Sequence, residues 1–352
     1  GRRALGAMRL RCAFAAAALV ICGAAAAEPP MRGGRVPGFE DVERVVIRHM
    51  ARIGAAAATV AIGRDDALVY ARGFGWADRA QTAPVEPDAL MRIASVTKPI
   101  TAAAARRLIA RGRLHEDETV LRRLDYGVEP ADPRWWMITV RHLIDHRAGW
   151  DAHERHDPLF RVDAIARRLR LERPAEAEDI VRYMLREPLQ YTPGTRKVYS
   201  NFGYCVLGRV IERASGMRYS EYLHAGLLGP SGIEDVFVAR NGVRAPREVE
   251  YPEDASRFNT ETGDSAGGLI ASAPALVRFL QRYWLDGTPR KRGTRGNWIV
   301  FGSLPGTSAV ARQLPSGVSY AVLMNARREA SHRTDQRRLA RALDAAIEAT
   351  QR

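Results

Sequence analysis

Residues 92–114 read RIASVTKPITAAAARRLIARGRL. The apolar run from Ile100 to Leu114 predicts a helix, with Pro99 in its first turn, where a missing N–H costs nothing. Ser95 and Lys98 stand three apart at the start of that helix, so their side chains share one face. A serine hydroxyl is a poor nucleophile until a neighbouring base takes its proton. A lysine can be that base only where burial and nearby positive charge lower its pKa. The helix N-terminus also favours negative charge developing at Ser95. A surface serine beside a surface lysine is the ordinary alternative. The chain has only three lysines, Lys98, Lys197 and Lys291, so a chance match is unusual without being rare.

On the N-terminal side, residues 39–53 predict a helix with Val42, Val45, Val46 and Met50 on one face. A hairpin pattern follows. Ala58, Val60 and Ile62 alternate along a strand, Arg64-Asp65-Asp66 make the turn, and Leu68 and Tyr70 begin the return towards Gly75. From about residue 115 to 264 the signals are helical or loop-like, with helices expected at Val140–Ile144, Ile180–Leu185 and Tyr204–Glu212. Strand patterns return at Ser308–Gln313 and Val318–Met324, around Pro315-Ser316-Gly317. A last amphipathic helix is expected over about 334–349. The implied fold class is α+β. One antiparallel sheet is built from both ends of the chain, about 38–114 and 265–352. Helices flank it, and a mostly helical region of about 115–264 is inserted. The natural site is a cleft between the two parts.

Tyr199-Ser200-Asn201 is a second constellation. It lies after Pro193-Gly194 and before the apolar Tyr204–Ile211 run. A phenol can relay a proton, and an Asn side chain can hold Lys98 and a substrate carbonyl together. Alone, Tyr-x-Asn says little, and a packed aromatic is the default reading of Tyr199.

Taken together, Ser95-x-x-Lys98 and Tyr199-x-Asn201 resemble the serine hydrolases related to class C β-lactamases, D-Ala-D-Ala carboxypeptidases and their esterase relatives. Further segments are similar to that family. They are Pro193-Gly194-Thr195, Phe202-Gly203-Tyr204, Leu207-Gly208, Ala266-Gly267-Gly268-Leu269 and His142-Leu143-Ile144-Asp145-His146-Arg147-Ala148-Gly149, where Ala148 replaces the usual Ser. Gly302-Ser303-Leu304-Pro305-Gly306-Thr307 resembles the glycine-rich strand after the family's third motif. The likeness runs over about 38–326. It implies a β-lactamase/transpeptidase-like fold. Ser95 is then the nucleophile, Lys98 and Tyr199 the general base and acid, and Asn201, Gly302 and Ser303 the substrate and oxyanion elements. The N–H groups of Ser95 and Ser303 would cradle the oxyanion. No cofactor is implied.

One position departs from the pattern. The third motif is Lys or His, a small residue, then Gly; here it reads Val300-Phe301-Gly302. In the family that cation supports a substrate carboxylate or the proton relay. Its loss favours an esterase or D-amino-acid peptidase over an efficient β-lactamase. The alternative is a weak or inactive binding protein of the cell wall on the same fold.

Composition is that of an ordinary globular protein. Of 352 residues 46% are hydrophobic and 27% charged. The formal charge is +14, nearly all arginine spread along helices, with no nucleic-acid motif. Residues 1–27 read as a signal peptide. Arg9 and Arg11 precede an Ala-rich apolar run, and Ala25-Ala26-Ala27 offers a cleavage site. The expected location is therefore exported, periplasmic or secreted. No membrane span is expected after cleavage, and the expected partner is a small-molecule or peptide acyl substrate. Among the three cysteines, Cys205 sits in an apolar helical pattern and reads as buried filler. His142 and His146 have chelating i, i+4 spacing, with His153, His156, Asp145 and Asp151 nearby. However, Leu143 stands where a protease-type zinc helix needs Glu, so no metal is expected.

Overall fold

The first hairpin closes as its turn residues demand. Asp65 and Asp66 both have positive φ, 45° and 70°, the left-handed pair that a two-residue hairpin loop requires. The computed structural model describes residues 28–152 and 156–350. The hairpin strands are β2, Ala57–Arg64, and β3, Ala67–Gly75. A short β1, Met31–Arg32, pairs with the outer edge of β3. The late strands are β4, Trp298–Leu304, β5, Thr307–Gln313, and β6, Val318–Met324. Together they make a six-stranded sheet in the order β1-β3-β2-β6-β5-β4. Every neighbouring pair is antiparallel. The seam between the two ends of the chain is central, with Val60 opposite Val322 and Ala61 opposite Ala321.

Alternation along β2 divides the core. Ala58, Val60 and Ile62 face α1, Glu40–Ile53, and α5, His332–Ala349. Ala57 and Ala61 face the opposite side, where α2, Thr97–Ala110, contributes Ile100 and Ala104. In α1 the buried stripe is Val42, Val46, His49, Met50 and Ile53, with Val45 only partly covered. Each fully buried aliphatic chain there contributes about 1.5–3 kcal/mol. The core of the helical region is built around α3, Asn201–Ser215, which is buried along most of its length. A further helix, α4, Ala273–Arg282, packs on β2 and β6.

Three expectations need correction. Gly302–Thr307 is not one strand: β4 ends at Leu304, and the Pro305-Gly306 turn, Gly306 at φ 66°, leads into β5. The region 115–264 also contributes Val236–Val238 to a small sheet with Leu269–Ala271 and Met91–Arg92. Finally, His142 and His146 do not share a helix. Val140–Ile144 ends first, and His146 follows at φ 59°. His142 instead closes a capping box with Thr139. Among the described residues no group of three or more His, Cys, Asp or Glu is arranged to hold a metal. No helix of the described residues is long and apolar enough to cross a membrane. Cys205 is fully buried, and burial pushes its thiol up to about 12. The leader at 1–27 and His153 lie outside the described residues.

Candidate active site

Ser95 sits in a tight turn, Ala94–Val96, that runs directly into α2. Ala94 has φ 47°, a left-handed conformation that a non-glycine residue adopts at a cost of about 1–3 kcal/mol. It turns the chain so that Ser95 opens the helix and Lys98 follows one turn later. Lys98 is only 4% exposed. Its ammonium lies 2.6 Å from Asn201 Oδ1, 2.5 Å from the Ala266 carbonyl and 3.4 Å from Ser95 Oγ. Three N–H donors thus meet three acceptors, so a buried charge is fully hydrogen-bonded. Tyr199 lies closer to Ser95. Its hydroxyl is 2.6 Å from Ser95 Oγ, and its ring lies 4.8 Å from Lys98 Nζ.

The start of α3 sets the second constellation. Ser200 is the N-cap, its Oγ accepting from Gly203 N–H at 3.0 Å. Tyr199 therefore precedes the helix and Asn201 is its first residue. Phe202 anchors the turn in a cluster with Trp135 and Trp150. His146 supports Tyr199 from behind. Its Nδ1 accepts the Ser200 N–H at 3.2 Å, and its ring lies between those of Tyr199 and Tyr204, at 4.8 and 4.9 Å. Burial, then the charges of Lys98 and Lys197, hold His146 down to about 3, so it is a neutral acceptor at ordinary pH.

Asp157 was not singled out by sequence. Its Oδ2 accepts from Asn201 Nδ2 at 2.6 Å, and its Oδ1 from Leu159 N–H at 3.0 Å. Burial raises its carboxyl above the usual range, against the pull of those hydrogen bonds and of Lys98. With Nδ2 donating to Asp157, Asn201 turns Oδ1 towards Lys98. Ser95, Lys98, Tyr199, Asn201 and Asp157 thus form one connected network.

The third wall is β4. Gly302 packs against the Ser95 turn, where any Cβ would overlap Ile93 O. This brings Ser303 beside Ser95, and both line one cleft of about 360 Å³. Val300 lies away from the cleft lining and packs against the core. β4 is tied to α5 and to the segment just before it. Gln336 Nε2 donates to Gly302 O at 2.6 Å, and Arg327 donates to Ser303 Oγ at 3.0 Å. His332, Arg333 and Arg337 of α5 also line the cleft. Sequence reading missed them, because only the packing of the last helix against β4 brings them there.

The chain is similar to known proteins in sequence and in fold. A family model described as beta-lactamase matches residues 42–301. The chain is 34% identical over 244 residues to esterase EstB of Burkholderia gladioli, a match covering 66% of this chain and 60% of that protein. It is 28% identical over 206 residues to penicillin-binding protein 4* of Bacillus subtilis, covering 55% of this chain and 40% of that one. The matches therefore span 60% or less of the length of these two relatives. Among solved structures, the D-amino acid amidase of Ochrobactrum anthropi SV3 superposes with a TM-score of 0.69 at 20% identity, over 90% of this chain and 99% of that one. That likeness is one of fold.

Proposed function

The chain belongs to the β-lactamase family, and on that premise we propose that it is a serine hydrolase that cleaves an ester or amide through an acyl-enzyme on Ser95. The observation that carries this reading is the 2.6 Å contact between Ser95 Oγ and Tyr199 OH, with the Lys98 ammonium beside both. Tyr199 takes the Ser95 proton as Oγ bonds to the substrate carbonyl carbon. Lys98 stabilises the phenolate that this demands. The tetrahedral oxyanion rests on the N–H groups of Ser95 and Ser303. Collapse breaks the bond to the leaving alkoxide or amine, which takes the proton back from Tyr199. Water, deprotonated by the same phenolate, then attacks the acyl carbon, and as the bond to Oγ breaks Tyr199 returns that proton to Ser95 and the acid is released.

Esters and D-amino-acid amides or peptides fit this site better than β-lactams, since β4 carries Val300 where the family's third motif has a cation. An esterase among the similar proteins supports the ester part of this preference. Val300 is also what favours the second reading, a binding protein of the cell wall. Exposure to a fluorophosphonate separates the two. Mass spectrometry is expected to find a stoichiometric adduct on Ser95, absent from Ser95→Ala. An unlabelled parent protein would support the binding role instead. The reading includes export, on the leader read at residues 1–27. N-terminal sequencing of protein from a cell envelope or culture fraction is expected to begin near Glu28, and an uncleaved cytoplasmic product would refute export.

A further inference from the structure

One of the acceptors that hold Lys98 belongs to a helix of a single turn. Asp264–Gly267 is four residues long, and the last four carbonyls of any α-helix have no partner within it. Two of these carbonyls find their donors on α2. Ala266 O accepts from the Lys98 ammonium at 2.5 Å, and Ser265 O accepts from Thr101 Oγ1 at 2.7 Å. Lys98 and Thr101 stand three apart on α2, so they meet consecutive carbonyls from one face. Thr101 has a single hydroxyl proton, and its other acceptor, Thr97 O, is farther away at 3.3 Å. With that proton on Ser265 O, the Tyr219 hydroxyl is the donor in its 2.6 Å contact with Thr101 Oγ1. Burial pushes the Tyr219 phenol well up, so the phenol keeps the proton that it donates. The bonds then close into a loop. Glu212 accepts the Tyr219 N–H at 2.8 Å and pairs with Arg209. Arg209 donates to Asp264 at 2.6 Å, and Asp264 accepts the Ser265 N–H at 2.5 Å. Thr101 and Ser265 are fully buried and Tyr219 is 1% exposed.

We infer that Thr101 and Tyr219 are positioning residues for Lys98. By holding Ser265 O against α2 they fix the adjoining Ala266 O, and through it the place of the ammonium beside Ser95 and Tyr199. This rests on the hydrolase reading for the reaction and adds what keeps its lysine in place. Neither residue touches Ser95 or Tyr199. Their effect runs through the two close acceptors of Lys98. Ala266 O and Asn201 Oδ1 lie at 2.5 and 2.6 Å, whereas Ser95 Oγ lies at 3.4 Å. Asp157 orients the Asn201 acceptor, and Thr101 with Tyr219 orients the other. A carbonyl that drifts either draws the ammonium away from Ser95 or leaves it short of an acceptor.

The test is Thr101→Val, which removes the hydroxyl and keeps the shape of the side chain. It is expected to lower kcat on a short acyl ester by roughly tenfold with KM little changed, the scale on which small misplacements act. The alkaline limb of its kcat profile is expected to move to lower pH, since an ammonium that has lost an acceptor gives up its proton more readily. Thr101→Ser keeps the hydroxyl and is expected to restore both. Tyr219→Phe is expected to show the same changes in smaller measure, and it replaces Thr101→Val should that variant not fold. A second arm needs no turnover. The chain has only three lysines, so protein labelled with carbon-13 lysine gives three side-chain signals. Lys197→Arg and Lys291→Arg identify the one from Lys98. That signal is expected to move in Thr101→Val and Tyr219→Phe and to return in Thr101→Ser. Variants that melt at lower temperature yet keep the parent's kcat, pH profile and Lys98 signal would make the loop purely structural and overturn the proposal. A Thr101→Ser no better than Thr101→Val would overturn it as well. The fluorophosphonate adduct on Ser95 of the parent is read in parallel. Its absence refutes the hydrolase reading, while the Lys98 signal still decides whether Thr101 and Tyr219 hold the lysine.

Discussion

In the proposed mechanism Tyr199 and Lys98 divide the work that a single base would do elsewhere. The phenol touches the nucleophile, and the ammonium is held by Asn201 and Ala266 beside the phenol's ring. Tyr199→Phe keeps the ring against His146 and removes only the proton carrier. It is expected to lower kcat by about 10²–10⁴-fold with KM little changed, measured on a short acyl ester. An unchanged kcat would move the base to another group. Asp157 acts at one remove, by fixing the Asn201 amide. Asp157→Ala leaves Asn201 free to flip and Lys98 less firmly held. It is expected to reduce kcat/KM by roughly tenfold and to shift the pH–rate profile, whereas a purely structural residue would lower thermal stability alone. The two halves of this network differed in legibility. Ser95 with Lys98, and Tyr199 with Asn201, are close neighbours in sequence, because one helix start carries each pair. Asp157 has no local partner that marks it. Arg333 and Arg337 are two arginines in a helix rich in them. Only tertiary packing gives these three a site.

At the level of elements, the proposed catalytic geometry depends on β4 lying flush against the Ser95 turn. Gly302→Ala inserts a methyl group against backbone at Ile93, which no side-chain rotation relieves. The expected outcome is a large loss of activity together with about 1–3 kcal/mol of destabilisation, read by ester turnover and denaturant melts. A fully active Gly302→Ala would show that the strand is free to shift. The strand itself is only partly legible in sequence: the glycine-rich stretch marks its end, but the likeness to the family runs on through Pro305-Gly306, where the chain turns. Helix α1 carries a different tension. His49 is 5% exposed, its Nε2 has no hydrogen-bond partner among the described residues, and burial holds its pKa down to about 4. The folded chain therefore refuses a proton that the unfolded chain accepts. This stability is fully present above about pH 6.5 and is lost as pH falls towards 4, by on the order of 2–3 kcal/mol. His49→Leu fills the same space without the polar atom. It is expected to raise the melting temperature at pH 7 slightly and at pH 5 more, flattening the curve between them. A pH dependence identical to the parent's would place the acid sensitivity elsewhere, His146 being the next candidate on the same sign argument.

Across the whole molecule, the central seam of the sheet joins β2 to β6, strands more than two hundred residues apart in sequence. The period-2 patterns at both ends made one shared sheet legible, but pairing order is a long-range property that no local pattern encodes. The consequence is that neither half of the sheet is complete without the other. Without residues 298–350, β2 loses its partner β6. The α1 stripe loses α5, and the Ser95 turn loses the strand that covers it. The helical region keeps its own ties, including the buried Arg209 with Asp264 and Glu212, which fasten α3 to the turn presenting Ala266 to Lys98. Breaking one member of such a buried group costs about 3–5 kcal/mol. A chain ending at residue 297 is therefore expected to keep helical circular dichroism while losing a cooperative thermal transition, and to expose apolar surface to a hydrophobic dye. Adding residues 298–352 as a separate chain is expected to restore the transition and the labelling of Ser95. A cooperative melt of the shortened chain alone would mean that the helical region and first hairpin fold independently, with the late strands merely docking onto them.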